Sequence, residues 1–415
     1  MLDINLIKND LESVKTGLAK RGDISHFDFE KIISLDDKRR ELIALSEELK
    51  AKKNKQSKVK PTLEIINEMK ALGVKIKEQE EELAKIDEEL NTKMLELPNI
   101  PAPDVLAGGK ENNEVIYTYG KKPVFNFTPK DHVELATSLN LIDYERAVKM
   151  SGSGFWCYTG NGALLEWALL SYFVDFHTNN GYSFLIPPFL LTEKSAYISG
   201  HLPKFRDDLF WNQDKLCLNP TSEMMLGNYH REETLDNNKL PLKYFAYSPC
   251  FRREAGSYRQ EERGMIRGHQ FNKMEMFIFS KPESSWEMFA EMTNNAKKLM
   301  EGLGLHFQVS KLAAGDCSAA MAKTYDIEVY IPSMEIYKEV SSVSNALDYQ
   351  ARRGQIKYKN EASGKNEFVH TLNGSGLATS RLLPAILEQN QQADGSVLIP
   401  KVLRQYLPKK MKFLK

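Results

Sequence analysis

Between Cys250 and Phe277 the chain crowds arginine, histidine, phenylalanine, lysine and glutamate into two short apolar stretches. The first is Cys250-Phe251-Arg252-Arg253-Glu254. The second carries Arg267, His269, Phe271, Lys273 and Glu275. Glycines and polar residues between Glu254 and Met265 predict a loop joining two strands. Strand side chains alternate, so Arg252 and Glu254 point one way together, and so do Arg267, His269, Phe271, Lys273 and Glu275. Such a face is costly to bury without partners. It either pairs with itself as a structural ion-pair network or binds a ligand. An arginine fork suits a phosphate, an aromatic ring suits a base, and a carboxylate suits an ammonium group. Together they describe a site for a nucleotide phosphate, an adenine and an amine. Neither a GxxxxGK[ST] loop nor an HExxH is present, so side chains would hold the nucleotide. Gly374-Ser375-Gly376 matches only part of a dinucleotide fingerprint.

The strands that carry these residues, from about Tyr244 to Phe279, follow one another without an intervening helix. That favours an antiparallel sheet over a doubly wound one. The first hundred residues are different. From Phe27 to Leu97 there is no Trp, one Gly (Gly73) and one Pro (Pro61). Ile65, Met69, Leu72, Ile76, Gln79, Leu83, Ile86, Leu90 and Leu97 step by fours and threes, with Lys93 in the polar slot. Leu35, Leu42 and Leu49 recur in the first half. Pro61 should separate two helices, which predicts an antiparallel helical hairpin over about 28–97. Lys50, Lys52, Lys53, Lys55, Lys58 and Lys60 crowd its tip, either as a solvated end or as a contact for phosphates. Three prolines between Pro98 and Pro103 form a stiff linker. The fold class is therefore α+β, a coiled-coil hairpin followed by a domain built on an antiparallel sheet flanked by helices.

Composition narrows the rest. The chain has 415 residues with 56 basic and 56 acidic side chains, so a polyanion must be met by a local basic surface. No apolar run is long enough for a membrane span, and no signal peptide is expected. The cysteines are scattered without a CxxC pair, which argues against zinc or a disulfide framework and suits the cytoplasm.

The stretch around Arg252 and Phe271 resembles motif 2 of the class II aminoacyl-tRNA synthetases (about 247–279). Other segments resemble the seryl-tRNA synthetase family. These are Thr221-Ser222-Glu223, Glu339-Val340-Ser341-Ser342 with Asn345, Gln350-Ala351-Arg352-Arg353, a motif 3 reaching Arg381 (about 371–390) and a motif 1 (about 163–188). The resemblance implies a tRNA-binding domain over 1–104 and a catalytic domain over 105–415. It implies activation of serine by ATP and transfer to the terminal adenosine of tRNA(Ser), with tRNA(Sec) a second candidate. Arg252, Arg381 and Glu339 would be catalytic. Arg252, Glu254, Arg267, Phe271, Glu339, Val340, Ser341, Ser342 and Arg381 would bind ATP. Thr221, Glu223, Arg252, Glu275, Asn345 and Ser375 would bind serine. Glu339 and Ser342 would hold Mg²⁺, and the tip lysines would contact tRNA. A homodimer is implied, with the apolar stretch Leu164–Phe176 suiting a helix between subunits. A catalytically silent RNA-binding paralogue is the alternative. The chain departs from the family's usual residues at Gly154, Leu164, Trp167, Arg253, Gly268 and the 258–262 loop.

Overall fold

The computed structural model describes residues 1–58, 62–254 and 264–415. It divides into two units, Met1–Ile100 and Pro101–Lys415. Pro61, Lys60 and the 258–262 loop lie outside the described residues.

The first unit opens with two short helices, α1 (Ile4–Asn9) and α2 (Leu11–Ala19), then two long ones, α3 (Phe29–Gln56) and α4 (Leu63–Glu96). The sequence reading identified the two long helices and passed over the short pair. Thr62 caps α4 through its hydroxyl, which accepts from the Ile65 amide. At 28 and 34 residues the long helices measure roughly 42 and 51 Å. Cross-pairs Lys31–Glu89, Lys38–Glu82 and Lys50–Glu80 prove them antiparallel, since the partner number falls as the first rises. Leu35, Leu42 and Ile86 bury together, with Leu83 and Leu90 against them. Near the C-terminal end of α4, Met94 is buried where a strict seven-residue repeat places Lys93. The 3.6-residue turn has drifted off the 3.5-residue seam.

The second unit is built on eight strands. These are β1 (Glu114–Tyr119), β2 (Ser183–Leu185), β3 (Leu242–Phe251), β4 (Gln270–Ser280), β5 (Phe307–Lys311), β6 (Lys323–Ile331), β7 (Ile336–Leu347) and β8 (His370–Ala378). Their spatial order is β1-β5-β6-β7-β8-β4-β3-β2. Every pairing is antiparallel except β2 with β3. The expected α+β class is what the structure shows.

Alternation along β4 decides where the core ends and the site begins. Met274, Met276 and Ile278 face one way into the main core. That core includes α5 (Gly160–Asn179), α8 (Ser285–Leu303) and α10 (Thr379–Gln389). Each such buried side chain contributes about 1.5–3 kcal/mol. On the opposite face Phe277 and Phe279 close a second cluster with Leu226 and Ala351. Those two belong to short helices, α7 (Ser222–Leu226) and α9 (Tyr349–Gly354). Helix α6 (Glu193–Ser199) packs beside them. Further along that same face come Glu275, Lys273 and Phe271, where apolar packing gives way to a cavity.

Candidate active site

A cavity of about 170 Å³ opens over the β4–β8–β7 surface. Its walls include Thr221, Glu223, Arg252, Glu254, Arg267, Phe271, Glu275, Glu339, Val340, Ser342, Ser375 and Arg381. These residues come from segments up to 160 positions apart in sequence, and the sheet brings them together. A cavity of about 730 Å³ shares Arg267, Glu339, Ser342 and Arg381 and extends the cleft. Of the expected site residues, Ser341 and Asn345 are not in either wall. Ser341 is buried and donates to the Ser375 carbonyl at 2.6 Å, so it holds Ser375 from behind. Asn345 is buried and accepts from the Leu347 amide at 2.9 Å.

Register explains the polar end. Glu275 on β4 stands opposite Ser375 on β8. Ser375 Oγ donates to Glu275 Oε2 at 3.3 Å and Asn373 Nδ2 to Oε1 at 3.4 Å. Lys273 pairs with Glu275 and donates to Thr221 Oγ1 at 2.7 Å. Thr221 also caps α7, accepting from the Glu223 amide at 3.3 Å, so it is both a helix cap and a wall of the site. Glu223 accepts from Gln350 Nε2 at 2.8 Å. Burial, and then the charge of Glu275, push the Glu223 carboxyl up to about 7.

The other end is cationic and aromatic. The Arg252 guanidinium lies 5.3 Å from the Phe271 ring centre, and its Nε donates to the Pro220 carbonyl at 3.3 Å. Arg267 Nε donates to Glu254 Oε2 at 2.6 Å, so part of the surface does pair internally. Arg381 donates to the Glu339 carbonyl at 2.7 Å. His269 is the exception on the expected face. It precedes β4, its Nδ1 sits 2.9 Å from the Arg252 carbonyl, and it does not line the cavity.

A bulge sets the remaining pair. Glu339 and Ser342 are three residues apart, which places them on opposite faces of a regular strand. In β7 the pairing passes from Ser341 opposite Ile327 to Glu339 opposite Glu328, leaving Val340 as the extra residue. Both Glu339 and Ser342 thereby reach the cavity. Asp326 stands opposite Ser342, and its Oδ1 is buried with no partner among the described residues. Burial, and then the Glu339 charge, raise the Asp326 carboxyl well above its ordinary range. Two carboxylates and a hydroxyl, one oxygen of them orphaned, fit a hard divalent cation such as Mg²⁺. Among the described residues no group of three or more His, Cys, Asp or Glu side chains is placed to hold a metal.

The sequence reading left Lys273, His201, Gln350 and Asp326 without roles. Lys273 had a signal in its place in the alternation, and Gln350 in the family-like segment it opens; His201 and Asp326 had none. Two departures from the family's residues lie together. A side chain at Gly268 would meet the Trp156 ring at 2.2 Å and the Gly154 carbonyl at 2.8 Å. Gly154, at φ +82°, accepts from the His269 amide at 2.9 Å. Gly268 makes room for Trp156, and Gly154 makes room for the His269 ring, which a side chain there would meet at 2.5 Å. Nothing in the structure explains Arg253.

Comparison with known proteins accords with this geometry. A family model described as the seryl-tRNA synthetase N-terminal domain matches residues 1–101. Another, the class II tRNA synthetase core domain for G, H, P, S and T, matches 205–390. "Serine--tRNA ligase 2" of Clostridium acetobutylicum is 53% identical, with 99% of each chain covered. The "Serine--tRNA ligase" of Geobacter sulfurreducens is 45% identical over 98% of each. The crystal structure of seryl-tRNA synthetase from Pyrococcus horikoshii complexed with ATP superposes with a TM-score of 0.91. It is 34% identical and covers 100% of this chain and 99% of its own. The chain belongs to the seryl-tRNA synthetase family.

Proposed function

We propose that this serine–tRNA ligase divides its chemistry along the cleft as follows. ATP and serine react to seryl-adenylate and pyrophosphate, and serine then passes to the terminal adenosine of tRNA(Ser). Arg252 holds the α-phosphate beside the serine carboxylate, so that attack occurs in line. Phe271 stacks on the adenine, Glu254 accepts from its amino group, and Arg381 approaches the γ-phosphate. Arg267 is a further phosphate contact, and the Val340–Ser341 backbone adjoins the nucleotide. Glu339 and Ser342, with Asp326 beside them, would hold Mg²⁺, which when bound supplies positive charge to the phosphate oxygens. The serine ammonium lies between Thr221, Glu223 and Glu275. Lys273 offsets the Glu275 charge, so the two carboxylates do not face each other bare. Ser375 reads the substrate hydroxyl, and Asn345 supports that wall from behind.

The observation that carries this reading is the meeting of Arg252, stacked on Phe271, with the Glu223–Glu275–Ser375 cluster in one cleft. A hydroxyl-reading site can reject alanine by roughly 10⁴-fold, since its own polar groups would be left unpaired. The test is ATP–pyrophosphate exchange with serine, run beside alanine, threonine, glycine and cysteine. Serine-specific exchange is expected. Exchange with none of them would sink the reading and favour a silent paralogue.

The domain assignment follows. Residues 1–104 form the tRNA-binding part and 105–415 the catalytic part. Lys52, Lys55 and Lys58 are exposed at the end of α3 and its following turn, and with Lys53 they form the phosphate-facing tip. Lys50 already pairs with Glu80 at 2.7 Å, which leaves it less available. A homodimer is part of the same proposal, because Trp167 (61% exposed) and Ile186 (71% exposed) present an apolar surface beside Leu164 and Phe184. The compartment proposed is the cytoplasm. No helix among the described residues is long and apolar enough to cross a membrane.

A further inference from the structure

His201 follows α6 and lines the cavity that contains Glu223, Arg252 and Lys273. It also lines an adjoining cavity of about 400 Å³ that shares Arg252 and Glu254. The ring therefore stands where the substrate cleft meets a second opening. Its Nδ1 lies 2.9 Å from Ser199 Oγ. The Ser199 hydroxyl also lies within reach of the carbonyls of its own helix, Ala196 (3.1 Å) and Ser195 (3.3 Å). When it donates to one of them, Ser199 Oγ accepts from the imidazole and Nδ1 carries the ring proton. The other nitrogen, Nε2, is then bare, and it has no hydrogen-bond partner among the described residues.

The charged groups around the ring are Arg252 beyond β3, Lys273 on β4, Glu223 on α7 and Glu254 across the shared wall. Burial, then Arg252 and Lys273, pull the imidazole down to about 3. The ring is therefore neutral and its Nε2 lone pair available. A phosphate held by Arg252 offsets one of those two cations and raises the ring's basicity from that value.

We infer that His201 Nε2 accepts the proton of the ribose hydroxyl that attacks the seryl group in the transfer step. The inference rests on the reading given under Proposed function. In that step the hydroxyl oxygen forms an ester bond to the serine carbonyl carbon. The acyl–phosphate C–O bond breaks, and its electron pair leaves with AMP. The hydroxyl proton passes to Nε2 and from there to solvent. Adenylate formation releases no such proton, because a carboxylate is the nucleophile there. The two half-reactions should therefore depend on His201 differently.

The experiment is single-turnover transfer from preformed seryl-adenylate to a serine-accepting tRNA transcript, with pyrophosphate exchange measured on the same preparations. His201→Gln should slow transfer by about 10²–10⁴-fold and leave exchange within about twofold. The acidic limb of the transfer pH–rate profile should vanish with it. Ser199→Ala, which releases the tautomer, should slow transfer by a smaller factor. Transfer at the wild-type rate in His201→Gln, or transfer and exchange falling together, would overturn the role. Exchange absent from the wild-type protein would sink the underlying reading, and the role with it.

Discussion

On the proposed reading, Glu223 is the residue whose charge state the serine site depends on. Burial and Glu275 push its carboxyl up to about 7. Below that pH it takes a proton and loses its attraction for the substrate ammonium. The KM for serine, read by pyrophosphate exchange between about pH 6 and pH 8, should rise as pH falls, by up to tenfold per unit. Glu223→Gln should raise KM throughout and flatten that dependence. A KM independent of pH in the wild type would remove Glu223 from the ammonium site. Arg252 gives a complementary test. It is half-buried, with its Nε on the Pro220 carbonyl, so its removal should cost little stability. Arg252→Ala should lower exchange by at least about 10³-fold while the thermal midpoint barely moves. An active variant would refute its assignment.

At the scale of elements, the cleft depends on β4 and α10 being tied together behind it. Glu166, fully buried on α5, accepts from Thr379 Oγ1 at 2.5 Å and from Asn272 Nδ2 at 2.8 Å. Asn272 lies between Phe271 and Lys273, and Thr379 lies two residues before Arg381. One carboxyl thereby spaces two walls of the cleft. Burial raises it from 4.5 to about 7. Because the folded value is the higher one, the folded state binds more protons in that window. Stability from this group is fully present below about pH 4.5 and is lost as pH rises toward about 7, by roughly 3 kcal/mol. Glu166→Gln keeps the acceptor oxygen and cannot ionise. Its urea-unfolding stability should stay flatter than wild type between about pH 5 and pH 7. Parallel pH profiles for the two proteins would show that Glu166 does not titrate in this range. A close approach on the same side has a steric basis. A side chain at Gly376 would meet His177 Nε2 at 2.2 Å, and that nitrogen lies 3.0 Å from the Gly376 carbonyl.

For the whole molecule, the helical hairpin and the catalytic unit should be separable in function. Ion pairs and the apolar seam run between α3 and α4, so the hairpin is held largely by its own contacts. Deleting residues 38–82 removes nearly matched lengths of both helices, because Lys38 stands opposite Glu82. Gel-shift affinity for tRNA should fall by more than about tenfold while pyrophosphate exchange persists. Unchanged tRNA binding would refute the hairpin's role. The exposed Trp167 bears on assembly. Trp167→Asp should shift the sedimentation coefficient toward that of a monomer, and an unchanged dimer would place the interface elsewhere.

The sequence by itself determined the helical hairpin, its break near Pro61, the antiparallel character of the Tyr244–Phe279 strands, and the face shared by Phe271, Lys273 and Glu275. These are local properties, set by periods of 3.5 and 2 and by turn residues, and they need no knowledge of distant partners. Ordered motifs identified the family because several of them in one chain are far more specific than each alone. Tertiary structure decided what periodicity cannot carry. The Val340 bulge turns Glu339 and Ser342 to one side, and Ser341 to the other, because an extra residue in one strand is visible only against its partner. Lys273 finds Thr221, and Gln350 finds Glu223, across distances in sequence that any spacing rule would ignore. The tautomer of His201 is coupled to the Ser199 hydroxyl, which sits at the end of a helix within reach of that helix's carbonyls. Packing of Trp156 over Gly268 and of the His269 ring over Gly154 likewise ties two departures to one piece of local structure. Chemistry at this site rests on pairings between residues far apart in sequence, and a one-dimensional pattern records only the types of residue available for them.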